Sequence, residues 1–183
     1  SLPKFDNEPF CETERFLIRP LDLTSYSEQH YLIKEIKERW GGVDILVNNA
    51  GIAYRSVVEE MDSASELNQL LVNYLAPMNL TRLVLPGMRA KRSGRIINVS
   101  SVSGMMAMPT MSSYSASKWA LEGASESLWY EARPWGIHVS LIEPGFVRSN
   151  SFQRVIFTPK SKEPDSPYIR YYESMGRFVE KLM

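Results

Sequence analysis

Apolar residues in this chain fall into short runs closed by turn residues, separated by longer stretches with helical spacing. The short runs at residues 15–21 (RFLIRPL), 44–47 (DILV), 95–100 (RIINVS) and 137–142 (IHVSLI) predict strands. Compact apolar runs bounded by Gly, Pro or Ser are typical of strands buried on both faces of a parallel sheet. The stretches between them predict helices. Ser27 caps one that runs to about Trp40, with Tyr31, Leu32, Ile36 and Trp40 on its apolar face and Gly41-Gly42 as its stop. A second helix spans 62–91, and its dense Leu67, Leu70, Leu71, Tyr74, Leu75, Met78, Leu83 and Val84 predict burial on more than one side. A third starts after Pro109, near Ser112 or Ser113, and runs to 133, where Pro134-Trp135-Gly136 breaks it. Residues 168–183 predict a last helix, and the polar stretch 1–14, with Pro3 and Pro9, a loop or disordered lead-in. The order β-α-β-α-β-α-β predicts an α/β fold, a parallel sheet with helices on both faces.

Composition narrows the function classes. The 183 residues suit one domain with a sizeable core, 1–183, of which 15–149 is the core and 146–183 a region able to cover a substrate. Lys plus Arg and Asp plus Glu both number 21 and interleave, so no basic stripe marks a nucleic-acid partner. Cys11 is the only cysteine, and His30 and His138 lie far apart without a carboxylate cluster, so no metal site is expected. No apolar run reaches membrane-spanning length and no signal peptide is apparent, so the expectation is a cytoplasmic protein without a membrane partner.

Ligands of such sheets sit outside the carboxyl ends of the strands. Asp22, Asn48 to Gly51, Ser101 and Pro144-Gly145 all fall at those ends. Tyr114 and Lys118 are four apart on the third predicted helix and share one face. A hydroxyl, a phenol and an ammonium brought together suit proton transfer to or from a carbonyl or alcohol. Structural readings stand beside these. Asn48-Asn49-Ala50-Gly51 also fits a plain tight turn, and Asp22 a cap for the following helix. Met105, Met106, Met108 and Met111 fit either core filler or an adaptable apolar pocket. Phe146, Phe152, Val155, Ile156, Phe157 and Tyr168, Tyr171 and Tyr172 fit a lid, a packed extension or a subunit contact. Pro77 has no N–H to return to the Asn73 carbonyl, so the long helix should kink there and leave that carbonyl for a water.

NNAG at 48–51, INVSS at 97–101, YSASK at 114–118 and PGFVRS at 144–149 resemble, in order and spacing, the motifs of the short-chain dehydrogenase/reductase family, over residues 22–149. The segment SLWYEARPWGIHVSLIEPGFVRS is similar to the branch acting on lipophilic alcohols such as retinoids and steroids. The resemblance implies a Rossmann-like doubly wound sheet and hydride transfer between NAD or NADP and an alcohol or ketone, here an apolar small molecule. It implies Tyr114 as general acid and base, its pKa lowered by Lys118 and the oxidised nicotinamide. Lys118 also holds the ribose, Ser101 the substrate oxygen, and Asn73 a relay water. Asp22, Asn48, Ala50, Gly51, Pro144, Gly145 and Ser149 border the cofactor, Asp22 on the adenine side. Ser101, Met105, Met111 and Phe146 line the substrate pocket. The helices 62–91 and 113–133 resemble those that pair subunits, which implies a homodimer or homotetramer. The family's first strand, glycine-rich turn and first helix precede the Asp22 region, yet the first glycine here is Gly41. The resemblance likewise implies a final strand beyond Met183. The expectation is a piece of a longer enzyme, inactive by itself, with an inactive binding or assembly module as the alternative.

Overall fold

A computed structural model describes residues 4–5, 8–9, 12–147 and 155–182. Two short strands, β1 (Lys4–Phe5) and β2 (Glu8–Pro9), pair antiparallel. Helix α1 (Tyr26–Trp40) follows, then β3 (Ile45–Asn48) and the two-residue β4 (Tyr54–Arg55). Next come α2 (Ser63–Leu70), a π-helical turn (Leu71–Leu75) and α3 (Ala76–Lys91). The chain continues through β5 (Gly94–Val99), α4 (Ser112–Ala132), β6 (Ile137–Ile142), β7 (Ile156–Phe157) and α5 (Ile169–Leu182).

The main sheet is parallel, in the order β3-β5-β6. Asn48 pairs with Asn98 and Val99 with Ile142, so the three strands end level with one another. Helices α3 and α4 cover this sheet, and α1 packs on α3. The core joins Val84 and Met88 of α3, Ile96 of β5, Leu128 and Ala132 of α4, and Ile137 and Val139 of β6. Met88 and Ile96 are wholly buried. Each such side chain contributes about 1.5–3 kcal/mol. Gly136 closes the turn into β6 with φ +70, and a Cβ there would lie 2.4 Å from the Arg92 carbonyl oxygen, so only glycine fits.

The α/β class and parallel sheet match the sequence expectation, and three predicted elements need correction. Residues 15–21 are not a strand. Apart from an isolated bridge between Thr13 and Phe16, this stretch has no ladder, because a strand needs a neighbouring strand and none among the described residues pairs with it. Arg19 is instead held by carboxylates, bonding Glu12 and reaching Glu35 of α1 at 2.6 Å. Consistently, β3 pairs only with β5 among the described residues, and its Ile45 and Val47 are 59% and 53% exposed. Helix α1 is capped by Ser25, whose Oγ accepts from the Glu28 N–H, not by Ser27. Its inward face is rotated: Tyr31 is 72% exposed, and Gln29 is buried, accepting 2.7 Å from Asn79 of α3. That polar contact sets how α1 docks. The 62–91 stretch begins at the expected place, with Asp62 capping Ser65, but Leu71–Leu75 is π-helical. The Ala76 N–H reaches back to the Leu71 carbonyl just before Pro77, which cannot continue an α-helical ladder.

No helix among the described residues is long and apolar enough to cross a membrane.

Candidate functional site

The site is built where β5 and β6 end and α4 begins. The Ser100 N–H donates to the Ile142 carbonyl at 2.7 Å, and the Val102 N–H donates to the Pro144 carbonyl at 3.1 Å. These bonds fasten the Pro144-Gly145 turn beside Ser101. Ser101 starts a one-turn helix, its Oγ accepting from the Ser103 N–H at 3.1 Å. Its hydroxyl lies on the Tyr114 side of the site, near enough to the first turn of α4 to act on that phenol. One turn later, Lys118 is 4% exposed and donates to the Val99 carbonyl at 2.8 Å. Its Nζ lies 5.8 Å from the centre of the Tyr114 ring.

Burial dominates the electrostatics. It pushes the Tyr114 phenol above its ordinary value, with the Ser101 hydroxyl opposing. It pulls Lys118 down to about 8, with the nearby Glu122 carboxylate opposing. The direction at Tyr114 is therefore opposite to that expected from a neighbouring ammonium. Burial sets the direction, and the Lys118 ammonium donates to the Val99 backbone carbonyl.

Asn73 stands behind Lys118 in the π-helical turn and is 1% exposed. Its Oδ1 accepts from the Ile52 N–H, and its Nδ2 donates to the Ile52 carbonyl, both at 2.9 Å. Nδ2 also donates to Ser117 Oγ at 3.0 Å. Gly51 closes the group: a Cβ there would lie 3.3 Å from Asn73 Oδ1 and 3.8 Å from Lys118 Nζ. The absence of a side chain lets the loop after β3 approach both.

The remaining predicted residues divide. Asn48 is buried and donates to Asn98 at 2.7 Å, and Asn98 donates to Ser125 of α4 at 2.8 Å. Asn48 thus ties sheet to helix, while Ala50 and Gly51 beside it are exposed at the sheet's end. Asp22 lies apart in the loop before α1, exposed, its carboxylate accepting from the N–H and hydroxyl of Thr24 at 2.8 Å each and held below the usual carboxylate range by them. Met111 bridges to Ser56, whereas Met105 is 57% exposed. The Phe146 ring meets Phe178 of α5 edge-on, with centres 5.8 Å apart. Ser149 and Phe152 lie outside the described residues. A separate open cleft of about 380 Å³, lined by Arg19, Leu21, Tyr31 and Glu35, contains none of the site residues. Among the described residues no group of His, Cys, Asp and Glu is placed to hold a metal.

Sequence reasoning missed Gln69 and Ser117. Gln69 is fully buried, accepts from the Tyr54 N–H at 2.5 Å and donates to Ser113 of α4 at 3.1 Å. A signal was present: Gln69 and Asn73 are polar residues one helical turn apart, with only Leu70, Leu71 and Val72 between them.

The exposed backbone at 49–51, together with a lysine that has spent one of its three N–H donors, offers hydrogen bonds to a hydroxyl-rich ligand. Known proteins give that geometry a context. Residues 7–158 match the family model described as short chain dehydrogenase. An uncharacterized oxidoreductase, YusZ of Bacillus subtilis (strain 168), is 40% identical over 143 residues, 76% of this chain and 50% of its own. The crystal structure of a short-chain dehydrogenase from Streptomyces avermitilis superimposes with a TM-score of 0.78 at 34% identity, covering 87% of this chain and 59% of that one. A gluconate 5-dehydrogenase from Burkholderia cenocepacia J2315, solved with NADP and tartrate, gives 0.69 at 29% identity over 72% of this chain and 51% of that one. The chain spans about half the length of the curated relatives it matches.

Proposed function

Because this chain belongs to the short-chain dehydrogenase family, we propose that its site serves hydride transfer between NAD or NADP and an alcohol or ketone, within a longer protein. The observation that carries this reading is the buried Lys118 one helical turn behind Tyr114, its Nζ 5.8 Å from the ring centre, with Ser101 at the end of the adjoining strand. A substrate oxygen placed between the Ser101 hydroxyl and the Tyr114 phenol receives two hydrogen bonds. The phenol is the group that gives or takes the proton. Its raised pKa suits the protonated, donating form that ketone reduction needs. Lys118 stabilises negative charge on the phenol and holds hydroxyls of the cofactor's ribose. Asn73, fixed by Ile52 and Ser117, keeps the loop carrying Gly51 against Lys118. The nicotinamide supplies or accepts the hydride when bound. The exposed stretch at 49–51 and the Pro144-Gly145 turn are the surfaces that border it.

The exposed Met105 and Met106, 57% and 60% accessible, support an apolar substrate. Exposed aromatics on α4, with Trp119 at 53% and Tyr130 at 65%, support pairing of α4 between subunits in a homodimer or homotetramer. The test is deuteride transfer in the full-length protein. It would be given reduced NAD or NADP deuterated at the transferable position and a series of apolar ketones, with the product alcohol analysed by mass. Deuterium in the product supports the reading. Saturable cofactor binding with no deuterium transfer to any ketone defeats it.

A further inference from the structure

Arg55 is a buried cation without a counter-charge among the described residues. It is 7% exposed, and none of the ion pairs among the described residues includes it. Its Nε is buried with no hydrogen-bond partner, and its guanidinium carbon lies 5.7 Å from the centre of the Phe157 ring. A largely buried charge with no opposite charge beside it is costly, so such a residue points to an anion that completes it from the side its terminal nitrogens leave open.

The register explains why no local carboxylate does so. In the parallel β4–β7 pair, Arg55 stands beside Phe157. Side chains alternate, so the next residues of both strands, Ser56 and Thr158, share the opposite face, where their hydroxyls meet at 3.0 Å. The buried carboxylate Glu60 belongs to that opposite face. It accepts from Ser166 at 2.5 Å and from Tyr172 at 2.6 Å, and the Tyr172 hydroxyl neighbours Ser56.

A second observation comes from the backbone neighbour of Arg55. Ser56 bridges to Met111, and the Ser56 N–H donates to the Thr110 carbonyl at 3.0 Å, which sets Thr110 beside Arg55 one register step back. Thr110 has φ +64, a left-handed conformation that is a genuine outlier for a β-branched residue. It is 5% exposed, and its Oγ1 is buried with no partner. Strain of this kind persists at ligand clamps. Four residues on is Tyr114.

We infer that Arg55 and the Thr110 hydroxyl form an oxyanion subsite for the substrate's far end, so that the substrate is an apolar alcohol or ketone bearing a carboxylate or a phosphate monoester. A guanidinium fork matches either oxyanion, and the Phe157 ring beside it accommodates the apolar body. This rests on the dehydrogenase reading for the carbonyl end alone. The charge at Arg55 is independent of it.

The test measures equilibrium binding and turnover separately, in the full-length protein saturated with cofactor. Calorimetric titrations with decanoate, decyl phosphate and decanol should show at least one anion binding about tenfold or more tighter than the alcohol, the scale of a hydrogen bond to a charged group. The better of the two anions identifies the oxyanion. Arg55→Met should weaken the anions about tenfold more than decanol, and Arg55→Lys should recover part of that loss. Decanol binding to the wild type as tightly as both anions overturns the subsite, and so does an Arg55→Met variant that weakens all three alike. Arg55-dependent anion binding without hydride transfer keeps the subsite and defeats the dehydrogenase reading. Turnover of a neutral ketone with no preference for its carboxylate or phosphate counterpart does the reverse.

Discussion

Asn73 and Ile52 exchange two hydrogen bonds, side-chain amide against backbone, each 2.9 Å long. The amide imitates a strand partner for a single residue of the loop after β3. With the third bond to Ser117, it joins that loop to α4 beside Lys118. A residue that resembles a candidate for chemistry is thus also a structural clamp.

Replacing Asn73 with Ala should therefore cost stability as well as turnover. The Ile52 N–H and carbonyl lose their partner in a half-buried setting, and Ser117 loses a donor. The expected loss is roughly 2–4 kcal/mol. Urea unfolding of the full-length protein measures it. A variant as stable as wild type would mean that water replaces the amide at no cost.

Lys118 makes a prediction about alkaline pH. Its folded pKa is about 8 against an ordinary 10.5. Between those values the unfolded chain holds a proton that the folded chain has released, so stability rises with pH across that window. The full difference is worth about 3 kcal/mol. Subtracting the unfolding free energy of Lys118→Met from that of wild type at each pH isolates this contribution. The difference should climb between pH 8 and pH 10.5. A flat difference would show that Nζ titrates as it does in an unfolded chain.

Removing the Tyr114 hydroxyl tests proton transfer. Tyr114→Phe should lower kcat by about 10²–10⁴-fold, the usual contribution of a positioned acid or base. Cofactor affinity should change much less, because Lys118 and the loop at Gly51 stay in place. Cofactor titration beside single-turnover kinetics separates the two. An equal loss in both would place Tyr114 in cofactor binding instead.

At Gly51, a methyl group is a tight fit. An added Cβ would press on Asn73 Oδ1 at 3.3 Å and approach Lys118 Nζ at 3.8 Å. Gly51→Ala should cost roughly 1–3 kcal/mol, as overpacking does. Its stability loss should be smaller in an Asn73→Ala background, where the space is free. A double-mutant cycle checks the coupling, and simple additivity would show that the two do not touch in solution.

The chain's own punctuation made much of this legible. Apolar runs bounded by glycine and serine placed β3, β5 and β6, and Pro109 and Pro134 bracketed α4. Tyr114 and Lys118 lie on one helix, and helical spacing shows that directly. What was not legible depends on partners. RFLIRPL has strand composition, yet extended backbone becomes a strand only beside another, and periodicity does not report a neighbour. The two-residue strands β4 and β7 are too short to have a period. Gln69 and Ser117 are polar residues inside helices, and only the packing of α2 on α4 shows that each is satisfied there. Tyr114's upward shift depends on burial depth, which spacing cannot supply.

Tyr172 predicts how the C-terminal segment comes loose. Its hydroxyl donates to Glu60 at 2.6 Å and accepts from the Val57 N–H at 3.0 Å. Tyr172→Phe leaves both short of a partner and should cost roughly 1.5–3 kcal/mol. The loss should be local: amides of 155–182 exchange faster with deuterium while those of Ile96 and Val139 stay protected. Uniformly faster exchange would mean that this segment unfolds only with the core.

The outer edge of β3 has a consequence for handling the protein. Ile45 and Val47 are more than half accessible on a strand that pairs on one side only among the described residues. An open, apolar row of N–H and carbonyl groups is a template for any extended chain that meets it. Expressed as these 183 residues, the polypeptide is therefore at risk of edge-to-edge aggregation. The aggregated fraction should rise with concentration while its helices and its core remain folded.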